Sequence, residues 1–117
     1  MINLGKLNTN EGIDVIADLM TPVATIMSDE VLLKEIQKLM STTEEVNGLV
    51  FMANLSLLIP KAMKRQKRAM CEIISIFKEC SIEEVENQSI FQTVKDVNVI
   101  IRNKDIVNLF LSLKKMD

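Results

Sequence analysis

Two cysteines and a cluster of cations are the residues of this chain best equipped for chemistry. Cys71 and Cys80 are the only thiols, and Lys67 and Arg68 lie about one helical turn before Cys71. A thiolate beside cations is a nucleophile, because positive charge lowers the thiol pKa. The plainer expectation is two reduced, structural thiols. They are nine positions apart, roughly 13 Å at helical rise, too far for a disulfide unless the helix breaks. The chain contains no histidine, which excludes Ser-His-Asp and Cys-His catalysis and the common histidine-bearing zinc sites. Gly5, Gly12 and Gly48 form no phosphate-cradling loop. The neighbouring carboxylates Glu44-Glu45 and Glu83-Glu84 stand at helix starts, where capping explains them without acid–base work. No catalytic, cofactor-binding or metal-ligating residue is expected.

The cations ask for a partner instead. On one continuous helix Lys61, Lys64, Arg65 and Arg68 fall at i, i+3, i+4 and i+7, forming a single cationic face with Lys67 beside it. Such a face is solvated and balanced by nearby acids, or binds phosphate, or docks an acidic helical partner. In the last case the charges steer and Met63 or Met70 packs. Interleaved aromatics, which single-strand binding uses, are absent. The total of 14 basic against 16 acidic residues also lacks the basic excess of a dedicated nucleic-acid binder. The expected partner-contacting residues are Lys61, Met63, Lys64, Arg65, Arg68 and Met70.

Helices must position these residues, and capping signals announce most of them. Asn8 with Glu11 has capping-box spacing and opens a helix whose apolar face is Ile13, Ile16, Ala17 and Met20. Thr21-Pro22 predicts a kink or restart. Ser28, Asp29 and Glu30 open the next helix, with Leu32, Ile36, Leu39 and Met40 on one face. Ser41 with Glu44 predicts the start of a central helix. There Val46, Leu49, Val50, Ala53, Leu57 and Leu58 form a wide stripe, and Phe51, Met52, Leu55 and Ile59 fill much of the other side. A helix apolar nearly all round is normally buried, and an exposed part of it is a docking surface.

Pro60 predicts a kink or a new helix beginning there. From Met63 to Lys78, Met70, Ile73, Ile74 and Phe77 share a face. Ser81 with Glu84 opens a short helix through Val85, and Ser89 opens a stripe of Ile90, Val94, Val97 and Ile101. Beyond Asn103, Ile106, Leu109, Phe110 and Leu113 form a last amphipathic helix, closed by Lys114 and Lys115.

The 117 residues suffice for one compact all-α domain of about five to seven short helices, spanning 1–117. Apolar residues make up 48% of the chain, but the only aromatics are four Phe. The core is therefore Leu, Ile and Val, with eight Met that suit adaptable packing or a surface meeting another apolar helix. A Met-rich apolar surface would also favour self-association. The longest apolar run, Gly48 to Ile59, is too short to span a bilayer, and Met1 to Leu7 has no secretory pattern. A soluble cytoplasmic protein is expected.

Three stretches carry a resemblance: EGIDVIADLMTPVATIMSDEVL from Glu11, LSLLIPKAMKRQKRAMCEIISIFKECSIEEVENQ from Leu55, and VKDVNVIIRNKDIVNLFLSL from Val94. In this order they resemble the small tail assembly chaperones of long-tailed phages and prophages of Gram-positive bacteria. Members of that family share an Ile-Pro before a basic helix, an EIISIF-like amphipathic helix, a short acidic turn and a closing pair of helices. Met40 to Gly48 contributes little to the match. The resemblance implies a non-enzymatic helper, without cofactors, that binds the tape measure protein and keeps it soluble while tail tube subunits assemble. It also implies absence from the mature virion. It assigns no binding residues. Charge reversal at Lys61, Lys64, Arg65 and Arg68 is expected to weaken client binding if they steer an acidic segment. The competing expectations are a nucleic-acid-associated regulator using the basic helix and a structural tail or connector component.

Overall fold

The computed structural model describes residues 1–42 and 48–105, with side chains for 1–39 and 53–105. After a short 3-10 turn at Leu4–Lys6, the chain folds into α1 (Thr9–Met27), α2 (Glu30–Thr42), α3 (Gly48–Arg65), α4 (Lys67–Lys78), α5 (Ile82–Asn87) and α6 (Ile90–Ile101). Among the described residues all regular structure is helical. The radius of gyration of 13.9 Å matches the roughly 13 Å of a compact domain of this length.

Local chemistry sets the helix starts. Asn8 accepts from the Glu11 amide at 2.9 Å while the Glu11 carboxylate accepts from the Asn8 amide at 3.2 Å, closing the expected box. At α2 the cap is Asp29, not Ser28: Asp29 Oδ1 accepts from the amides of Val31 and Leu32. Ser81 caps α5 through the Glu84 amide, and Ser89 caps α6 through the Gln92 amide. Ser41 lies inside α2, so it does not open α3; its expected partner Glu44 lies outside the described residues.

The two prolines do not divide the chain. Pro22 lies within α1 and Pro60 within α3. Pro22 is fully buried, and Pro60 is followed by the buried Ala62 and preceded by Ile59, which packs on the core. Burial on both sides outweighs the lost backbone hydrogen bond, since packing supplies most of a helix's stability in a folded protein. The break falls six residues later. Gln66 leaves the helical region at φ −132° and ψ 60°, separating α3 from α4 by a single residue.

Helix α4, rather than α3, is the hub: it packs against α1, α3, α5 and α6. Ala69, Met70, Ile74 and Phe77 are buried, and Ile73 packs beside them, as periodicity predicts. One core cluster joins Ile26, Leu32, Ala62, Ala69 and Met70. A second joins Ile74, Val85, Val97 and Ile101. Ile59 and Met63 pack against both. α4 ends at Glu79, a left-handed residue (φ 57°), with Cys80 N–H donating back to the Ser75 carbonyl. The N-terminus is tied to the same helix end, Ile2 N–H donating to Phe77 O at 2.7 Å.

Two expected faces are displaced. In α1, Pro22 and Ile26 are buried and Val15, Leu19 and Val23 half-buried, whereas Ile13, Ile16 and Met20 are 57%, 46% and 58% exposed. In α6 only the C-terminal half of the stripe is buried: Val97 and Ile101 are covered, but Ile90 and Val94 are exposed, as is Phe91. The stretch Ile106 to Lys115 lies outside the described residues.

Candidate interaction surfaces

The expected cationic face is not one face. It requires a helix running from Lys61 to Arg68, and the break at Gln66 puts Arg68 on α4 and the other three cations on α3. Three of the four then turn to different acids. Lys61 Nζ donates to Glu35 Oε1 of α2 at 3.2 Å. Arg65 Nε donates to both carboxylate oxygens of Asp29, at 3.1 and 3.0 Å. Arg68 Nη1 reaches Glu86 Oε1 of α5 at 3.5 Å. Lys64 and Lys67 are exposed and make no ion pair among the described residues. The methionines turn inward. Met70 is 7% exposed, and Met63 bridges the two core clusters, so neither is presented with the cations.

The strongest electrostatic feature is one that sequence reading treated only as a cap. Asp29 caps α2 and receives Arg65; it also accepts from Gln66 Nε2 at 3.0 Å. Its hydrogen bonds from Arg65 and Gln66 hold the carboxyl down at about 2, from an ordinary 3.8. One carboxylate therefore joins the α1–α2 corner to the α3–α4 break. Nothing in the local sequence of Gln66 marks a stop, since neither Gly nor Pro is there; the tertiary partner supplies it.

A second polar group closes the other end. Asp96 Oδ2 meets Lys78 Nζ at 2.9 Å and Gln88 Nε2 at 2.9 Å, while Oδ1 accepts from Gln92 at 2.8 Å. Burial opposes ionisation of Asp96, yet the bonds from Lys78, Gln88 and Gln92 hold its carboxyl below the usual value. Both carboxylate oxygens are engaged by structure, which describes a clasp between α4 and α6.

The thiols are held in their protonated form. Burial, reinforced by Glu86, pushes Cys71 up against the smaller opposing pull of Arg68. Burial and then Glu84 do the same to Cys80. Both pack against the second core cluster as unpaired cysteines. The arrangement opposes the nucleophilic role considered for Cys71.

Surfaces offer more. An open groove of about 450 Å³ runs between α2 and α3, lined by Glu35, Leu39, Asn54, Leu57, Leu58 and Lys61 among others. A second, of about 550 Å³, is lined by Val31, Lys61, Lys64 and Arg65. Lys61 borders both, and Leu57 is 79% exposed at the rim. Larger apolar exposure occurs on α1, at Ile13, Ile16, Met20 and Met27, and at the start of α6, where Phe91 is 83% exposed. The signal for α1 was present in the sequence: the helix carries more apolar positions than one buried face holds. Among the described residues no group of three or more potential ligands converges on a metal position, and no helix is long and apolar enough to cross a membrane.

Comparison with known proteins yields no match, whether to a family model, a curated protein or a solved structure.

Proposed function

We propose that this chain is a non-enzymatic binding protein of the tail assembly chaperone type, which holds a long helical client, the phage tape measure protein, in soluble form during tail assembly. The observation that carries the reading is apolar side chains left outward at helical spacing on α1, Ile13, Ile16, Met20 and Met27, in a fold with a separate packed core. Contiguous apolar exposure of this kind marks protein interaction surfaces, and helix-in-groove recognition is anchored at such spacing. Methionine at two of the four positions suits a surface that adapts to varied client segments. The sequence resemblance supplies the identity of the client. The regulator alternative loses support from the structure, because Lys61, Arg65 and Arg68 are paired within the chain and phosphate contacts would have to compete with those acids. On this reading the protein acts in the cytoplasm of the host cell, binds the tape measure protein and meets the tail tube protein during assembly, and is absent from the finished particle.

Co-expression with the long helical protein encoded immediately downstream tests the proposal. That protein should be insoluble alone, and soluble and co-purifying when this chain is present. Absence of both rescue and co-purification would overturn the reading, and recovery of the chain in mature particles would replace it with a structural role.

A further inference from the structure

Local preference and tertiary packing disagree at Gln66. From Lys61 to Met70 every residue is Ala, Met, Lys, Arg or Gln, all strong helix formers. Helical hydrogen bonding runs up to Gln66 N–H, which donates to Ala62 O at 2.8 Å, and resumes at Gln66 O, which accepts from Met70 N–H at 3.0 Å. Two torsions at Gln66, φ −132° and ψ 60°, therefore separate α3 and α4 from one continuous helix, in which they would be about −63° and −42°. That helix would run from Gly48 to Lys78 and measure about 46 Å. The greatest extent of the whole fold is 39 Å. The chain turns at Gln66 because α4 must fold back to bury Met70, Ile74 and Phe77.

The turn also divides the contacts. The ion pairs Lys61–Glu35 and Arg65–Asp29 lie within residues 1–65, and Arg68–Glu86 and Lys78–Asp96 lie within α4 to α6. Across the turn apolar side chains meet. Ile26, Leu32 and Ala62 pack with Ala69 and Met70, and Leu55, Ile59 and Met63 pack on the cluster around Ile74. The bond from Gln66 Nε2 to Asp29 holds the turn itself. Helices α4 to α6 of a second copy can supply every one of these apolar contacts. Exchange then satisfies both demands at once, a straight helix and a closed core, and short connections between packed parts favour it. We propose that Gln66 is a hinge at which the chain opens into a domain-swapped dimer. In it α3 and α4 form one helix, and α4 to α6 of each copy pack on α1 to α3 of the other. The exchange requires no client, so it stands or falls apart from the chaperone reading.

Refolding from urea at millimolar and at micromolar chain concentration tests this, read by size-exclusion chromatography with light scattering. The high concentration should yield a dimer and the low one monomer. Once formed, the dimer should persist for hours after dilution, because dissociation requires both cores to open. Gln66→Ala and Gln66→Gly both lose the bond to Asp29 but differ in helix preference at the hinge. That difference acts twice in a dimer, so the alanine variant should have a dimerisation constant at least roughly tenfold larger after slow refolding. The amides of Lys67 and Arg68 begin α4 in the monomer, where they have no intrahelical partner. In the dimer the carbonyls of Met63 and Lys64 should accept from them, so both amides should become protected from hydrogen exchange. Absence of a dimer from both the wild type and Gln66→Ala would overturn the proposal. So would a dimer that dissociates within minutes of dilution, equal dimerisation of the alanine and glycine variants, or unprotected Lys67 and Arg68 amides in the dimer. Loss of the dimer in Ile16→Asn with Met20→Asn would equally overturn it, placing the contact on the outward face of α1.

Discussion

Asp29 shows how much one short side chain can organise when four donors converge on it. It caps α2, accepts from Arg65 Nε and holds Gln66 at the point where α3 stops. Its carboxyl sits at about 2 in the fold against 3.8 ordinarily. Because the folded value is the lower one, its contribution is fully present above 3.8 and is lost as pH falls through about 2. Asp29→Asn should lower the melting temperature at pH 7 and flatten the decline between pH 4 and pH 2; an acid limb identical to wild type in thermal melts would count against this. Glu79 is the opposite kind of residue, held at φ 57° without the freedom of glycine. Glu79→Gly relieves a left-handed strain of about 1–3 kcal/mol against the extra backbone entropy of glycine. A net gain of about 0.5–1 kcal/mol in denaturant melts is the expected result.

Among the elements, α4 carries the fold while the outward parts of α1 and α6 are spared from it. Ile74 is 1% exposed in the second core cluster, and Phe91 is 83% exposed. Truncating Ile74 to Ala should cost about 2–5 kcal/mol, and truncating Phe91 to Ala about 0.5 kcal/mol or less; urea titrations of the two variants decide it. The end of α3 allows a second separation. Lys64→Glu touches no ion pair among the described residues, whereas Arg65→Glu places a like charge against Asp29. The first should leave the melting temperature within a degree or two, equivalent to less than about 0.5 kcal/mol, and the second should lower it clearly. If Lys64→Glu also weakens client rescue without destabilising the chain, the cation cluster contributes steering after all.

Across the whole molecule, the two core clusters share Ile59 and Met63, and the Asp29 and Asp96 groups clasp opposite ends of the helix set. A core joined in this way should unfold as one unit. Far-ultraviolet dichroism and the accessibility of Cys71 to a thiol reagent should report coincident transitions, in the wild type and in a Met63→Ala variant destabilised by about 2–5 kcal/mol. Two separated transitions would show that the clusters are independent. The same architecture divides labour: the charges mostly hold helix corners together, and the apolar residues left over on α1 stay at the surface.

The sequence by itself determined the all-α class, the caps at Asn8, Ser81 and Ser89, the buried face of α4 and the burial of Leu32 and Leu39 on α2, whose expected companion Met40 has no described side chain. Each of these depends on residues within a turn or two of one another, where backbone hydrogen bonding and a 3.6-residue period act directly. Tertiary structure alone decided where α3 stops, which row of α1 faces inward and whether the cations form a single face. Gln66 carries no local stop signal, and its break is fixed by a carboxylate 37 positions earlier. α1 is apolar on two rows, so its own periodicity could not choose between them; packing against α4 and α2 did. The expected candidate site followed from a continuous helix through Arg68. Ion pairs to Glu35, Asp29 and Glu86, distant in the chain, dispersed it, and packing left the row of Ile13, Ile16 and Met20 exposed instead.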